Sequence, residues 1–131
     1  DLAGGCYVEP TVIRADPSAR VRHEVVLGPL TAVRTFSTED EALSIANGVE
    51  YGLGGGLWTQ NLSRAHRFAA AMRSGMVWVN SYKRVSPGSP FGGTGLSGYG
   101  REMGFEAMHD YTEAKSVWIN VDAQIPPWYP R

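Results

Sequence analysis

Ser89-Pro90-Phe91-Gly92-Gly93-Thr94-Gly95-Leu96-Ser97-Gly98-Tyr99-Gly100-Arg101-Glu102-Met103-Gly104 holds six of the sixteen glycines in the chain. Glycine has no Cβ, so its backbone takes positive φ and approaches other surfaces closely. Such a density does not suit a strand, and each glycine inside a helix costs about 1 kcal/mol relative to alanine. The stretch reads as a loop shaped by what it touches. Its Gly93-Thr94-Gly95-Leu96-Ser97-Gly98 core also satisfies G-x-G-x-x-G, with Glu113 about twenty residues on, as a dinucleotide fingerprint asks. That fingerprint needs a strand directly before it. Here Pro87-Gly88-Ser89-Pro90 intervenes, and prolines without an N–H cannot feed a central parallel strand. The dinucleotide-loop reading is therefore rejected.

Working outward, Leu30 to Phe36, Leu53 to Thr59 and Met76 to Asn80 read as strands, and Cys6 to Arg14 as a short edge strand interrupted by Pro10. Asp16-Pro17-Ser18 predicts a turn before a short helix. Thr38-Glu39-Asp40-Glu41 forms a capping box, followed by Ala42, Ile45, Ala46 and Val49 at helical spacing up to Asn47-Gly48. Asn61 is an N-cap for a second helix, with Leu62, Ala65, Phe68, Ala69 and Met72 on one face. Arg73 suits the helix dipole there, and Gly75 stands where a terminating glycine belongs. Arg101 to His109 predicts a third, short helix, and Glu113 to Val121 a last strand. Helices alternating with strands predict an α/β fold with a mostly parallel sheet flanked by helices.

The 131 residues are 43% hydrophobic and 19% charged, a globular composition with material for a sizeable core. Twelve Lys and Arg against thirteen Asp and Glu leave a net charge of −1, with no electrostatic footprint for nucleic acid or an anionic membrane. No apolar run approaches a membrane span and no signal-peptide pattern is present, so a cytoplasmic protein is expected. Cys6, the single cysteine, has no internal disulfide partner, which fits a reducing compartment, and is expected to be a small buried hydrophobe. His23, His66 and His109 lack metal-ligand spacing, so no metal site is expected, and no residue of the chain qualifies as a catalytic group.

Pro90-Phe91-Gly92-Gly93, then Ser97-Gly98 with Gly100-Arg101-Glu102 and Gly104, then Tyr111-Thr112-Glu113 and Lys115, resemble the C-terminal signature of aldehyde dehydrogenases. Gly28-Pro29, Tyr51-Gly52-Leu53 and Val77-Trp78-Val79-Asn80 fall in that family's order, and Tyr7 with Glu9-Pro10-Thr11-Val12 is similar to the start of the same region. The resemblance runs from about Gly5 to Val121. It implies residues 1–110 as the end of a catalytic domain and residues 111–122 as an oligomerisation strand that pairs with another subunit. Residues 123–131 form a proline-rich tail. In that family a cysteine thiolate attacks the aldehyde, hydride passes to NAD or NADP, and water hydrolyses the thioester. The nucleophile, the general-base glutamate and the dinucleotide domain all lie upstream of the matching region. The resemblance thus implies a C-terminal fragment or a separately encoded or cleaved piece, inactive alone and partnered by the remainder of the enzyme in a homo-oligomer held through Glu113 to Val121.

Two stretches carry the site the resemblance implies. His23-Glu24-Val25-Val26-Leu27-Gly28-Pro29 aligns with the family's Glu-x-Phe-Gly-Pro, whose glutamate binds the nicotinamide ribose and whose Phe packs near the ring. Here Val25 and Leu27 occupy those positions before Gly28 and Pro29, a degenerate cofactor-binding set, and Glu24 falls one residue early. Losing an ionised hydrogen-bond partner removes about 1.5–3 kcal/mol of cofactor binding. The second stretch, Asn80 to Phe91, resembles the loop that anchors substrate, with Phe91, Tyr82 and Val85 lining an apolar tunnel. Lys83 and Arg84 place two cations at its mouth, which favours an aldehyde bearing a carboxylate. A competing reading makes the chain a non-catalytic assembly or scaffolding module, a reading that Val25 favours.

Overall fold

The computed structural model describes residues 4–121 and residue 128. Strand β1 (Thr11–Arg14) pairs in parallel with β2 (Leu30–Val33), Thr11 opposite Leu30 and Arg14 opposite Val33. Both are shorter than the sequence predicts: Pro10 offers no N–H before Thr11, and β2 loses its partner where β1 stops. The Asp16 carboxylate closes the intervening turn by accepting from the Ser18 N–H at 2.9 Å and the Ser18 hydroxyl at 2.7 Å. A single 3₁₀ turn, Arg20–Arg22, follows.

Helix α1 (Glu39–Ala46) starts at the expected cap, with the Glu41 N–H donating to Thr38 Oγ1 at 3.1 Å. The reciprocal half of the box is displaced by one residue, since Glu41 Oε2 accepts from the Ser37 N–H at 2.9 Å. After β3 (Tyr51–Gly52), strand β4 (Gly54–Leu57), helix α2 (Leu62–Ala71) and strand β5 (Met76–Val79) form a parallel β-α-β unit. Asn61 caps α2 as expected, accepting from the Arg64 N–H at 2.9 Å. The two helices are tied at both ends. Arg64 and Arg67 of α2 hold Glu39, which keeps that carboxyl below the ordinary range, the Arg67 hydrogen bond counting most. At the other end the Asn47 amide donates to the Ala71 carbonyl at 2.9 Å, and its oxygen accepts from the Arg73 N–H at 2.7 Å.

Gly75 does not terminate α2. The helix leaves through Met72, whose backbone is already extended, before Gly75 is reached. A Cβ on Gly75 would instead overlap the Gly92 carbonyl oxygen, so the residue permits close passage of the glycine loop. That loop carries β6 (Thr94–Gly95), antiparallel to β3 through Tyr51 opposite Gly95 and Gly52 opposite Thr94. The helix expected over Arg101 to His109 is only a 3₁₀ segment, Glu106–Asp110. Arg101 and Glu102 are engaged with the loop, and Met103 (φ 60°) and Gly104 (φ 62°) sit in left-handed backbone that no α-helix start accepts.

The parallel pairing is as expected, but the ladders remain three two-stranded pieces and do not merge into one sheet among the described residues. The expected sizeable core is also missing. Among the described residues the one buried hydrophobic side chain is Ala65, while Trp58, Leu62, Phe36 and Phe105 stand exposed. Leu62, predicted on the buried face of α2, is one of these, and Cys6 is a free, exposed thiol. Glu113 to Val121 has no ladder partner among the described residues. Except for exposed Trp128, the expected proline-rich tail lies outside the described residues.

Candidate functional site

The loop after β5 is anchored from its first residue. Asn80 (φ 53°) continues the β4–β5 ladder with its side chain: its carboxamide oxygen accepts from the Thr59 N–H at 2.8 Å, and its NH₂ donates to the Thr59 carbonyl at 2.9 Å. Asparagine tolerates this left-handed backbone better than most residues do. Trp78, inside β5, reaches forward to the same loop. Its indole N–H donates to the Arg84 carbonyl at 2.7 Å, and its ring meets Tyr82 edge-on at 5.2 Å and 69°. Lys83, also left-handed (φ 56°), holds its ammonium nitrogen 5.9 Å from the Tyr82 ring centre. That distance is within cation–π range.

The far end of the loop is fixed by backbone. Phe91 and Glu102 form an isolated antiparallel bridge. Arg101 Nη1 donates to the Gly93 carbonyl at 2.7 Å and the Gly100 carbonyl at 2.8 Å, drawing the glycine loop around one guanidinium. Ser97 Oγ accepts from the Gly52 N–H at 3.1 Å, and the Gly75 N–H donates to the Gly52 carbonyl at 2.9 Å. Gly52, itself buried, is the point where loop, β3 and β5 meet.

These contacts frame a cleft of about 990 Å³. Val25, Tyr82, Lys83, Val85 and Phe91 all line it, so five residues singled out from two separate stretches come together. Leu27, Gly28 and Pro29 do not line it, and Leu27 is 96% exposed. Lys83 and Arg84 part company. Lys83 faces this cleft, whereas Arg84 lines a smaller pocket of about 210 Å³ with Val77 and Ser86. Nor does Glu24 slip into the place of Val25. It is held by Arg20, whose Nε and Nη2 donate to its Oε1 at 2.9 and 2.8 Å, and it lines a different cleft against β2 and α1. Trp78 and Ser97, read from sequence as parts of the family signature and not as site residues, also line the main cleft. The signal for Trp78 is its place two residues before Asn80, where the loop begins. Among the described residues no Asp or Glu lines the cleft, and the charged residues that do are Arg73 and Lys83, both cations.

Residues 1–117 match the model of the aldehyde dehydrogenase family. A (Z)-2-((N-methylformamido)methylene)-5-hydroxybutyrolactone dehydrogenase of Acinetobacter baylyi is 48% identical over 92% of the chain, which covers 25% of that relative. The crystal structure of PnpE from Pseudomonas sp. WBC-3 superposes with a TM-score of 0.88 at 67% identity, covering 98% of this chain and 26% of that one. PnpE in complex with nicotinamide adenine dinucleotide superposes with the same TM-score at 68% identity, covering 96% of this chain and 26% of that one. The chain thus spans about a quarter of the length of the relatives it matches.

Proposed function

The chain belongs to the aldehyde dehydrogenase family, and on that premise we propose that it serves as the C-terminal segment of an NAD(P)-dependent enzyme that oxidises an aldehyde to a carboxylic acid. One observation carries the reading: a chain whose sequence is 43% hydrophobic has Ala65 as its one buried hydrophobic side chain among the described residues. Apolar surface on this scale marks faces made to be covered. The remainder of the dehydrogenase is the partner such faces fit, since the ladders β1–β2 and β4–β5 each end with open edges. Residues 1–110 then complete the catalytic domain and residues 111–122 reach a neighbouring subunit. The reading puts the protein in the cytoplasm, where an exposed Cys6 stays reduced. No helix of the described residues is long and apolar enough to cross a membrane.

The chain contributes walls to this chemistry. Phe91, Tyr82 and Val85 offer the aldehyde an apolar surface, and Val25 offers the nicotinamide end of NAD or NADP an apolar contact. Among its described residues no carboxylate lines the cleft, and Glu24 is engaged by Arg20 outside it. Most cofactor binding, the thiolate nucleophile and the general base therefore belong to the rest of the enzyme. The absent carboxylate also gives the scaffolding alternative its one support. Both are tested by following NADH absorbance with propanal and NAD as probes. The 131-residue chain alone is expected to show no turnover, and the full-length protein carrying it to be active. Turnover by the chain alone would overturn the fragment reading, and a full-length protein that binds NAD yet oxidises no aldehyde would establish the scaffold.

A further inference from the structure

We propose that Gly56 of β4 is a specificity-determining residue for the aldehyde: without a Cβ it lets the Tyr82 ring lie against the strand, and the ring's position there sets the width of the cleft. This rests on the cleft being a substrate wall of an aldehyde dehydrogenase. The seat itself is built from β4, β5 and Tyr82, all of this chain, whatever forms the facing walls. Successive residues of a strand point to opposite faces, so Gly54 and Gly56 share one. Gly56 stands opposite Trp78 in the β4–β5 register, and the indole lies back over Gly54, where a Cβ would come within 2.7 Å of Trp78 Cζ3. A Cβ on Gly56 would come within 2.9 Å of Tyr82 Cδ2. The two rings thus lie side by side on a strand face free of side chains, edge-on to each other at 5.2 Å. Gly55 is turned the other way, and a Cβ there would overlap the sulfur of Met72 at the end of α2.

What separates Gly56 from a glycine of packing alone is the atom it meets. Gly75 faces a backbone carbonyl oxygen that is fixed, whereas Gly56 faces a side chain that can turn about its χ angles. The 2.9 Å approach is well inside the ~3.5–4.0 Å of an ordinary carbon–carbon contact, so a methyl group at Gly56 displaces the ring. Cδ2 belongs to the body of the ring, so the ring moves as a whole. Trp78 stands on one flank of it and the Lys83 ammonium lies 5.9 Å from its centre. The open side is the cleft, which Tyr82 lines with 49% of its surface exposed. One methyl group on the strand is therefore relayed to the cleft wall. In an apolar pocket a single methylene changes selectivity about 10- to 200-fold.

The test uses the full-length enzyme carrying Gly56→Ala, with propanal, hexanal and benzaldehyde as probes. The variant is expected to raise KM for benzaldehyde by about tenfold or more, while KM for propanal and kcat move by less than about twofold. Hexanal should fall between them. Adding Tyr82→Leu removes the displaced ring and should return the benzaldehyde-to-propanal ratio of kcat/KM to the wild-type value or above it. A role in packing alone would weaken all three probes together, and deleting a packed ring would not relieve it. The crystal structure of Gly56→Ala should show the Tyr82 ring carried off β4 toward the cleft. An unmoved ring, an unchanged ratio, no rescue by Tyr82→Leu, or a Gly56→Ala protein that does not fold overturns the proposal while leaving the dehydrogenase reading intact. So does a wild type that oxidises propanal but neither larger aldehyde, since the cleft then has no width for Gly56 to set. Oxidation of none of the three overturns the dehydrogenase reading itself and this proposal with it.

Discussion

Phe91 and Glu102 face each other as an antiparallel pair, each donating its backbone N–H to the other's carbonyl, at 2.6 and 2.7 Å. The pair closes the glycine loop at its base and fixes where the Phe91 side chain enters the cleft. Arg101 sits next to the bridge and fills the loop from within, through its bonds to Gly93 and Gly100. Bridge and guanidinium together hold in one shape a loop whose glycines leave many other backbone conformations open to it.

From this arrangement Arg101→Ala is expected to do two things in the full-length enzyme. Two carbonyls lose a charged donor, which should lower stability by about 1–3 kcal/mol in urea denaturation. The Phe91 wall should also loosen, raising KM for aldehyde more than it lowers kcat. Arg101→Lys keeps the charge without the planar fork and should fall between. An unchanged urea midpoint together with an unchanged KM would show that the loop holds its shape without the guanidinium.

Gly75 gives a sharper contrast. A Cβ there would overlap the Gly92 carbonyl oxygen, a backbone atom that cannot swing aside. Gly75→Ala should therefore cost more than about 3 kcal/mol by forcing the glycine loop off β5. Gly88 has nothing within 4 Å of the corresponding position. Gly88→Ala should stay within about 0.5 kcal/mol of wild type. Equal thermal-unfolding midpoints for the two variants would rule out close passage as the reason for Gly75.

The difference between Gly75 as read and Gly75 as found shows what kind of feature a sequence exposes. Thr38 and Asn61 act on N–H groups three residues away, so their caps are legible from a few letters. Gly75 acts on Gly92, and the pattern of a helix ending nearby supplied a plausible local explanation that was the wrong one. Met103 and Gly104 hide in the same way: Arg101 to His109 reads as a short helix, and the left-handed backbone that prevents one lies next to the bridge to Phe91. Of the residues read from two stretches, Val25, Tyr82, Lys83, Val85 and Phe91 line one cleft, while Leu27, Gly28 and Pro29 lie off it. Which of Lys83 and Arg84 faces it was not legible, since adjacent loop residues carry no periodicity to separate them. Composition failed most plainly over the core. The count of apolar residues says how much surface seeks cover, and Leu62, Trp58 and Phe36 stay exposed among the described residues.

The last such surface lies after the 3₁₀ segment. Val117 is 68% exposed, Trp118 93% and Ile119 81%, and Glu113 to Val121 carries no ladder among the described residues. In a strand Val117 and Ile119 share one face, two residues apart. A segment this apolar gains by adding to the edge of a neighbouring subunit's sheet, where main-chain hydrogen bonds supply affinity and alternate side chains supply fit. Left unpaired, it is an aggregation hazard. Val117→Lys combined with Ile119→Lys places two charges on the face to be buried and should break that pairing while leaving the cleft residues untouched. Size-exclusion chromatography with light scattering of the full-length enzyme should then show a multi-subunit wild type and a variant of smaller mass. A variant that keeps the wild-type mass would mean that another surface holds the assembly, and a monomeric wild type would remove the strand's role altogether.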